Sequence, residues 1–320
     1  MSGAQTAYAD VLLVTATMTE TKAVREAFGV TVQEANPPGI GNRAYFDLGT
    51  VNGARVMMTQ SEMSAGSPGG SQQAVQQGIA TLSPAAVVMV GIAFGMHEEE
   101  QRIGDILVAE HLYLYENQRV GTQVDGSTKV VVRGDKPPAS AWLRNLLKSV
   151  TITWRGAEVM FGTILTGNKL VDNLEFREQL RFVEPGAIGG EMEGAGLFVA
   201  CHEKKVDWIL VKAISDFANG RKGENEKENQ ALAAKNAAIF VHHALRSASV
   251  QWQEHNRPSR HIIPAHAALH SQNEITAKTI WKKKAAYLQA QHATTSNPAL
   301  KFELECQIDE ALAAIQRLGG

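Results

Sequence analysis

Three acidic residues, Glu20, Glu193 and Asp216, stand near the carboxyl ends of apolar runs that read as buried strands. Carboxylates beside such runs need partners, because stripping water from a charge is costly. Glu193 lies in "GGEMEGAG" (189–196), where two carboxylates sit between pairs of glycines. A carboxylate next to bare backbone can accept hydrogen bonds from two adjacent hydroxyls, as in the 2′,3′-diol of a ribose. Missing side chains would let the sugar come close to the main chain. Asp216 ends the stretch "DWILVKAISD". Burial there favours its neutral form, and a neutral carboxyl can donate to a purine ring nitrogen. Glu20 can orient or deprotonate a water. Together the three acids would break an N-ribosidic bond through an oxocarbenium-like state, a nitrogen counterpart of two-carboxylate glycoside hydrolysis. Each also has a purely structural reading. Glu20 can be a first-turn acid favoured by the helix dipole, Glu193 a helix cap, and Asp216 a turn residue in "SDFANG".

The elements that must position these acids alternate between strand and helix. Residues 10–16, "DVLLVTA", read as a buried strand, followed by a helix over about 18–28 with Thr19 as its N-cap. Shorter strands fit "RAYFDLG" and "ARVMMTQ"; "SAGSPGGSQQAVQQGIATL" is a Gly-rich turn feeding a helix, and "AAVVMVGIAFG" is another buried strand. Then come "GDILVAEHLYLYE", a helix near 138–149, the strand "VMFGTILTG", a helix near 171–181, the helix after "GGEMEGAG", the strand "DWILVKAISD" and a helix over about 228–248. This order predicts a three-layer α/β/α domain with a mixed central sheet over residues 8–250. Ligands in such folds gather at the carboxyl ends of strands, where the three acids lie.

Composition sets outer bounds. The 320 residues are 44% hydrophobic and 20% charged, with a formal net charge of -2. Those values fit a globular chain and argue against a dedicated nucleic-acid binder. No apolar run approaches transmembrane length, and the first residues lack a basic segment followed by an apolar one. The two cysteines, Cys201 and Cys306, are far apart. That spacing gives neither a disulfide framework nor a thiolate metal site, and a reducing cytoplasm is the expected home.

"GGEMEGAGL" followed by "ILVKAISDFAN" resembles the paired signature of the nucleoside phosphorylase superfamily, and most of all its methylthioadenosine/S-adenosylhomocysteine nucleosidases. "VTATMTETKAV" resembles that family's N-terminal acidic segment, and "VGIAFG" stands where a "GSAGG"-type loop is expected. The likeness covers roughly residues 8–248. It implies that Glu193 holds the ribose hydroxyls with Met192 against the sugar, and that Asp216 protonates the purine at N7 with Ser215 positioning it. It further implies that Glu20 activates the attacking water, while Ile92 and Val171 face the substrate. Leu170 falls where the nucleosidases often place an aromatic against the base, so stacking is replaced by dispersion. Phosphorolytic relatives commonly carry an arginine ahead of the glycine in "MVGI" (89–92); its absence here favours water over phosphate as the nucleophile. Phosphorolysis and a non-catalytic nucleoside sensor stay open as alternatives. The resemblance implies no metal or organic cofactor, and it implies self-association, since family members complete the pocket across a subunit interface.

After residue 250 the composition changes. Residues 251–273 are rich in His, Pro and Arg and read as a linker; 274–320 give two helix patterns joined by "TTSNPA", a helical hairpin. The hairpin resembles small modules attached to effector domains in bacterial conflict systems. That implies docking to a sensor or adaptor partner, and an abundant nucleotide such as ATP as substrate. Lys169, Arg119, Arg221 and Lys222 are candidates to meet a 5′-phosphate chain, each with surface charge as the plainer reading. Histidines 255, 261, 266 and 270 lack a completing carboxylate or thiolate, so no metal is expected there.

Overall fold

In the computed structural model the described residues are 8–30, 43–221, 223 and 225–247, with eight more between 285 and 312. The first strand, β1 (Val11–Thr15), is buried at every position, as its unbroken apolar run requires. It feeds α1 (Met18–Ala27), whose N-cap is Thr17 and not the expected Thr19. Thr17-Met18-Thr19-Glu20 is a capping box. The Thr17 hydroxyl accepts the Glu20 N–H, and the Glu20 carboxylate accepts the Thr17 N–H.

The strand pair β2 (Phe46–Val51) and β3 (Ala54–Gln60) precedes α2 (Ser71–Leu82) and the ten-residue β4 (Ala86–Gly95). After β5 (Ile106–Leu114) the chain makes an exposed hairpin, β6 (Gln118–Thr122) and β7 (Thr128–Val132), which the sequence pattern had not predicted. The hairpin's strands are only five residues each and exposed at most positions, even at Val130 and Val131, so neither period-2 alternation nor burial marks them. There follow α3 (Ala141–Val150), β8 (Val159–Thr166), α4 (Leu174–Val183), β9 (Ala187–Glu191), α5 (Gly194–Lys204), β10 (Asp207–Asp216) and α6 (Glu226–Ser247).

The sheet is mixed, in the order β10-β5-β8-β9-β4-β1-β3-β2. An added pairing of β10 with β4 closes five of its strands into a ring, a refinement of the flat layer expected from alternation alone. The strands β1, β4 and β10 run parallel at its centre and carry near-continuous apolar residues. Helix α6 packs on β10 and β4 and touches α1 and α3, while α2 and α5 pack on each other. Their core is one cluster that includes Leu12, Val88, Leu107, Leu210 and Phe240.

Two compact units divide the chain at Arg257 and Pro258. In the second unit the described residues Ala285, Ala286, Gln289, His292, Ala293, Ile308, Asp309 and Leu312 are helical. The expected linker 251–273, most of the expected hairpin 274–320 and the four histidines lie outside the described residues.

Candidate active site

Parallel strands ending on one side of the sheet bring distant loops together, and a cavity opens there in the first unit. Its walls include Glu20 from α1, Ile92 from β4, Lys169, Leu170 and Val171 after β8, Met192 and Glu193 after β9, and Ser215 and Asp216 from β10. The three acids and the residues expected against the sugar and base, together with Lys169, therefore line one cavity. Met63, Phe94, Glu191 and Gln230 are also among its lining residues. Arg119 lies on β6 and is not among the lining residues; neither is Arg221, and Lys222 falls outside the described residues.

Each acid is held by more than one donor. Glu20 is only 2% exposed. Its Oε2 accepts the N–H groups of Ala16 and Thr17 at 2.7 and 2.8 Å, and its Oε1 accepts that of Ile92 at 2.8 Å. The carboxylate thus ties the start of α1 to β4, and a Cβ at Gly91 would collide with it. Gly91 is the glycine of the "MVGI" stretch, so its bareness makes room for an acid.

Glu193 occupies the N-cap position of α5 without using its side chain as a cap. Its Oε1 accepts the Ser64 N–H at 3.2 Å, and its Oε2 accepts from Lys212 Nζ at 3.0 Å. The start of α5 is held by Glu191, whose carboxylate accepts the N–H groups of Glu193 and Gly194 at 2.9 to 3.0 Å. Gly190 lines the cavity, and packing gives the bareness of these glycines a cause of its own. A Cβ at Gly190 would strike the Phe94 ring, and one at Gly196 would strike Ser71 of α2. These glycines let strand meet strand and helix meet helix.

Asp216 owes its aim to a bulge. The β10–β4 register matches Ile214 to Ala93 and Asp216 to Phe94, leaving Ser215 as the extra residue. Bulges of this kind redirect a side chain, commonly next to active sites. The Ser215 hydroxyl donates to Asp216 Oδ2 at 3.0 Å, and the Ala218 N–H donates to Oδ1 at 3.0 Å.

Lys212 is the residue the sequence reading missed. It is 1% exposed in the middle of β10, 3.0 Å from Glu193 and 3.6 Å from Glu191. Burial alone would lower its pKa. Attraction from Glu193, Glu20 and Glu191, with the hydrogen bond it donates to Glu193, outweighs burial and holds it above the ordinary lysine value. Burial raises Glu191, Lys212 pulls it down, and the neighbouring Glu193 charge raises it again; the net shift is upward. One ammonium therefore underlies three carboxylates. The signal was a lone lysine inside "DWILVKAISD", where an apolar strand has no other use for a cation.

At the mouth, Leu170 is 67% exposed and Met63 is also exposed. Lys169 pairs with Glu116, which also accepts the N–H and Nδ2 of Asn168 at 2.6 and 2.9 Å. Although partial burial works the other way, these bonds hold the Glu116 carboxyl below its usual range. Among the described residues no group of His, Cys, Asp and Glu side chains is arranged to hold a metal ion.

A death domain-containing ATP nucleosidase of Amphimedon queenslandica is 31% identical over 180 residues, 51% of this chain and 34% of the relative. ATP nucleosidase Cap17 of Escherichia coli is 24% identical over 240 residues, covering 67% of this chain and 47% of its own length. A 5′-methylthioadenosine/S-adenosylhomocysteine nucleosidase of Staphylococcus haemolyticus is 26% identical over 206 residues, 63% of this chain and 86% of the relative. The chain thus spans about a third and about half of the two ATP nucleosidases. The fold is that of the 5′-methylthioadenosine/S-adenosylhomocysteine nucleosidase of Neisseria meningitidis, solved with methylthio-immucillin-A. That structure matches at a TM-score of 0.62 and 21% identity, covering 74% of this chain and 99% of its own. The family model described as the phosphorylase superfamily matches residues 10–246, the stretch that builds the whole cavity, and the chain belongs to that superfamily.

Proposed function

We propose that the chain hydrolyses the N-glycosidic bond of an adenosine-type nucleoside or nucleotide and releases the free base. The observation that carries this reading is the meeting of Glu20, Glu193 and Asp216 in one cavity over a single buried lysine. In the proposed step Glu20 takes a proton from a water as its oxygen bonds to C1′. The C1′–N9 bond breaks with its electron pair going to the base, and Asp216 supplies the proton that the purine takes up at N7. Glu193 holds the ribose hydroxyls, Met192 packs on the sugar, and Ile92, Leu170 and Val171 bound the base, with Ser215 orienting Asp216. Lys212 holds the Glu193 carboxylate in place by donating to its Oε2 and offsets the negative field around the water.

Water suits this cavity better than phosphate. The Lys212 ammonium is engaged by carboxylates, so an incoming dianion would meet Glu20, Glu191 and Glu193 with no buried cation to spare. Lys169 at the mouth is placed to meet a 5′-phosphate chain, which fits a nucleotide such as ATP, the substrate named in two relatives. In the same reading the enzyme acts in the cytoplasm as a defence effector, self-associates, and reaches a sensor partner through 274–320.

Incubation with adenosine, methylthioadenosine and ATP, with and without inorganic phosphate, followed by chromatography of the purines, tests the reaction. Free adenine should form at the same rate in both conditions. Release that requires phosphate would replace hydrolysis by phosphorolysis, and binding without release would leave a nucleoside sensor.

A further inference from the structure

Bonds from outside the cavity fix the turn that follows Asp216. Arg177, on α4 and 6% exposed, donates from Nη1 to the Phe217 carbonyl at 2.7 Å. Its other nitrogens are held by Glu178, with Nε at 3.2 Å and Nη2 at 3.0 Å, and Glu98 lies 3.8 Å from Nη1. Asn219 donates to the same Glu98 at 3.1 Å, which links the far end of the turn back to the guanidinium. A second anchor comes from the loop ahead of α4, where Asp172 Oδ1 accepts the Gly220 N–H at 3.0 Å.

Between these anchors Ala218 has a φ of +50°, a conformation that costs a residue with a Cβ. Such a residue persists where its surroundings over-determine it. The Ala218 N–H, which shares a peptide plane with the Phe217 carbonyl and points the opposite way, donates to Asp216 Oδ1. On the opposite side the Phe217 ring lies against Gly95, where an added Cβ would come within 2.7 Å of it. The carbonyl held by Arg177 belongs to the residue between Asp216 and the strained alanine. A buried guanidinium has many ways to pack; this one directs a charge-strengthened hydrogen bond to that carbonyl.

We infer that Arg177 is a positioning residue for Asp216. By holding the Phe217 carbonyl it keeps the 216–218 turn closed and the Asp216 carboxyl aimed into the cavity. The inference rests on the reading of Asp216 as the acid that protonates the leaving base. It assigns α4, which contributes no residue to the cavity wall, a part in the chemical step.

The test uses the full chain with Arg177→Met, Arg177→Lys and Asp172→Ala, each compared with wild type for adenine release and for amide hydrogen exchange over 215–221. Arg177→Met should lower kcat by about 10- to 100-fold, part of what a placed general acid supplies, with KM little changed. Exchange at Ala218 and Gly220 should quicken while the sheet stays protected. Arg177→Lys should recover much of the loss, since an ammonium can still donate to that carbonyl, and Asp172→Ala, at an exposed site, should shift exchange the same way without unfolding. Wild-type exchange at Ala218 in Arg177→Met overturns the inference, whether or not turnover changes. So does a fall in kcat that only tracks lost folded protein by circular dichroism. Full activity in Asp216→Asn would instead remove the acid role itself, and the positioning role with it.

Discussion

The Lys212 ammonium beneath three carboxylates has consequences that can be measured. Replacing it by methionine keeps the volume and removes the counter-charge. Breaking a buried pair in this way typically costs about 3–5 kcal/mol, because the acids are left uncompensated. The loss should depend on pH with a definite sign. Glu191 already has a raised pKa in the fold, so above the ordinary glutamate value of 4.5 the native chain holds a proton the unfolded chain has released. Through that window unfolding free energy falls as pH rises. Lys212 opposes the shift, so Lys212→Met should raise Glu191 further, extend the window upward, and lose most stability at neutral pH with part regained near pH 5. Urea denaturation across that range checks it, and a loss that does not vary with pH would refute it. Lys169 makes a different prediction. If it meets a 5′-phosphate, Lys169→Met should raise KM for ATP about tenfold, the worth of one charge-assisted bond, and leave KM for adenosine unchanged. The acids were legible in the sequence because carboxylates beside apolar strands demand an explanation. For Lys212 the sequence shows a lone lysine in an apolar strand but not its role, because its partners at 20, 191 and 193 become neighbours only when β10 is laid beside β4.

At the scale of elements, the start of α1 couples stability to the site. Thr17 caps the helix and Glu20 returns to the Thr17 N–H, so the capping box and the candidate water-activating acid are one unit. Thr17→Ala should cost about 1 kcal/mol in chemical denaturation, the usual worth of an N-cap. It should also lower the rate of adenine release by loosening the turn that aims Glu20. Unchanged turnover with the expected stability loss would separate the cap from the site. The spacing S/T-x-x-E selects Thr17 over the expected Thr19, so this cap is readable from the sequence by its capping-box partner. Long apolar strands such as β4 and β10 were readable for the same reason that they are central. The strand β9 is only faintly marked ahead of Glu193, because Gly189 and Gly190 lower strand propensity; they are there because Phe94 and Leu107 fill the space a side chain would take. The closed ring was beyond reach as well, since pairing of β10 with both β4 and β5 is a tertiary choice that no local pattern encodes.

For the molecule as a whole, every residue that lines the cavity belongs to the unit ending at Arg257, and the phosphorylase-superfamily match stops at residue 246. The cavity's charges are balanced locally, by Lys212 and by backbone amides, and need no cation from elsewhere in the chain. The pinned turn after Asp216 likewise takes both of its anchors from the first unit. A chain ending at Arg257 should therefore unfold in a single cooperative transition and release adenine at the rate of the full-length protein. If 274–320 is the docking module proposed for it, the shortened chain should lose only its response to a partner. Size-exclusion chromatography of both forms, read beside their kinetics, separates two cases. Equal turnover with equal assembly leaves the tail free to serve recruitment. Turnover lost together with assembly would mean that the second unit builds an oligomer the cavity depends on, and the division of labour proposed here would fail.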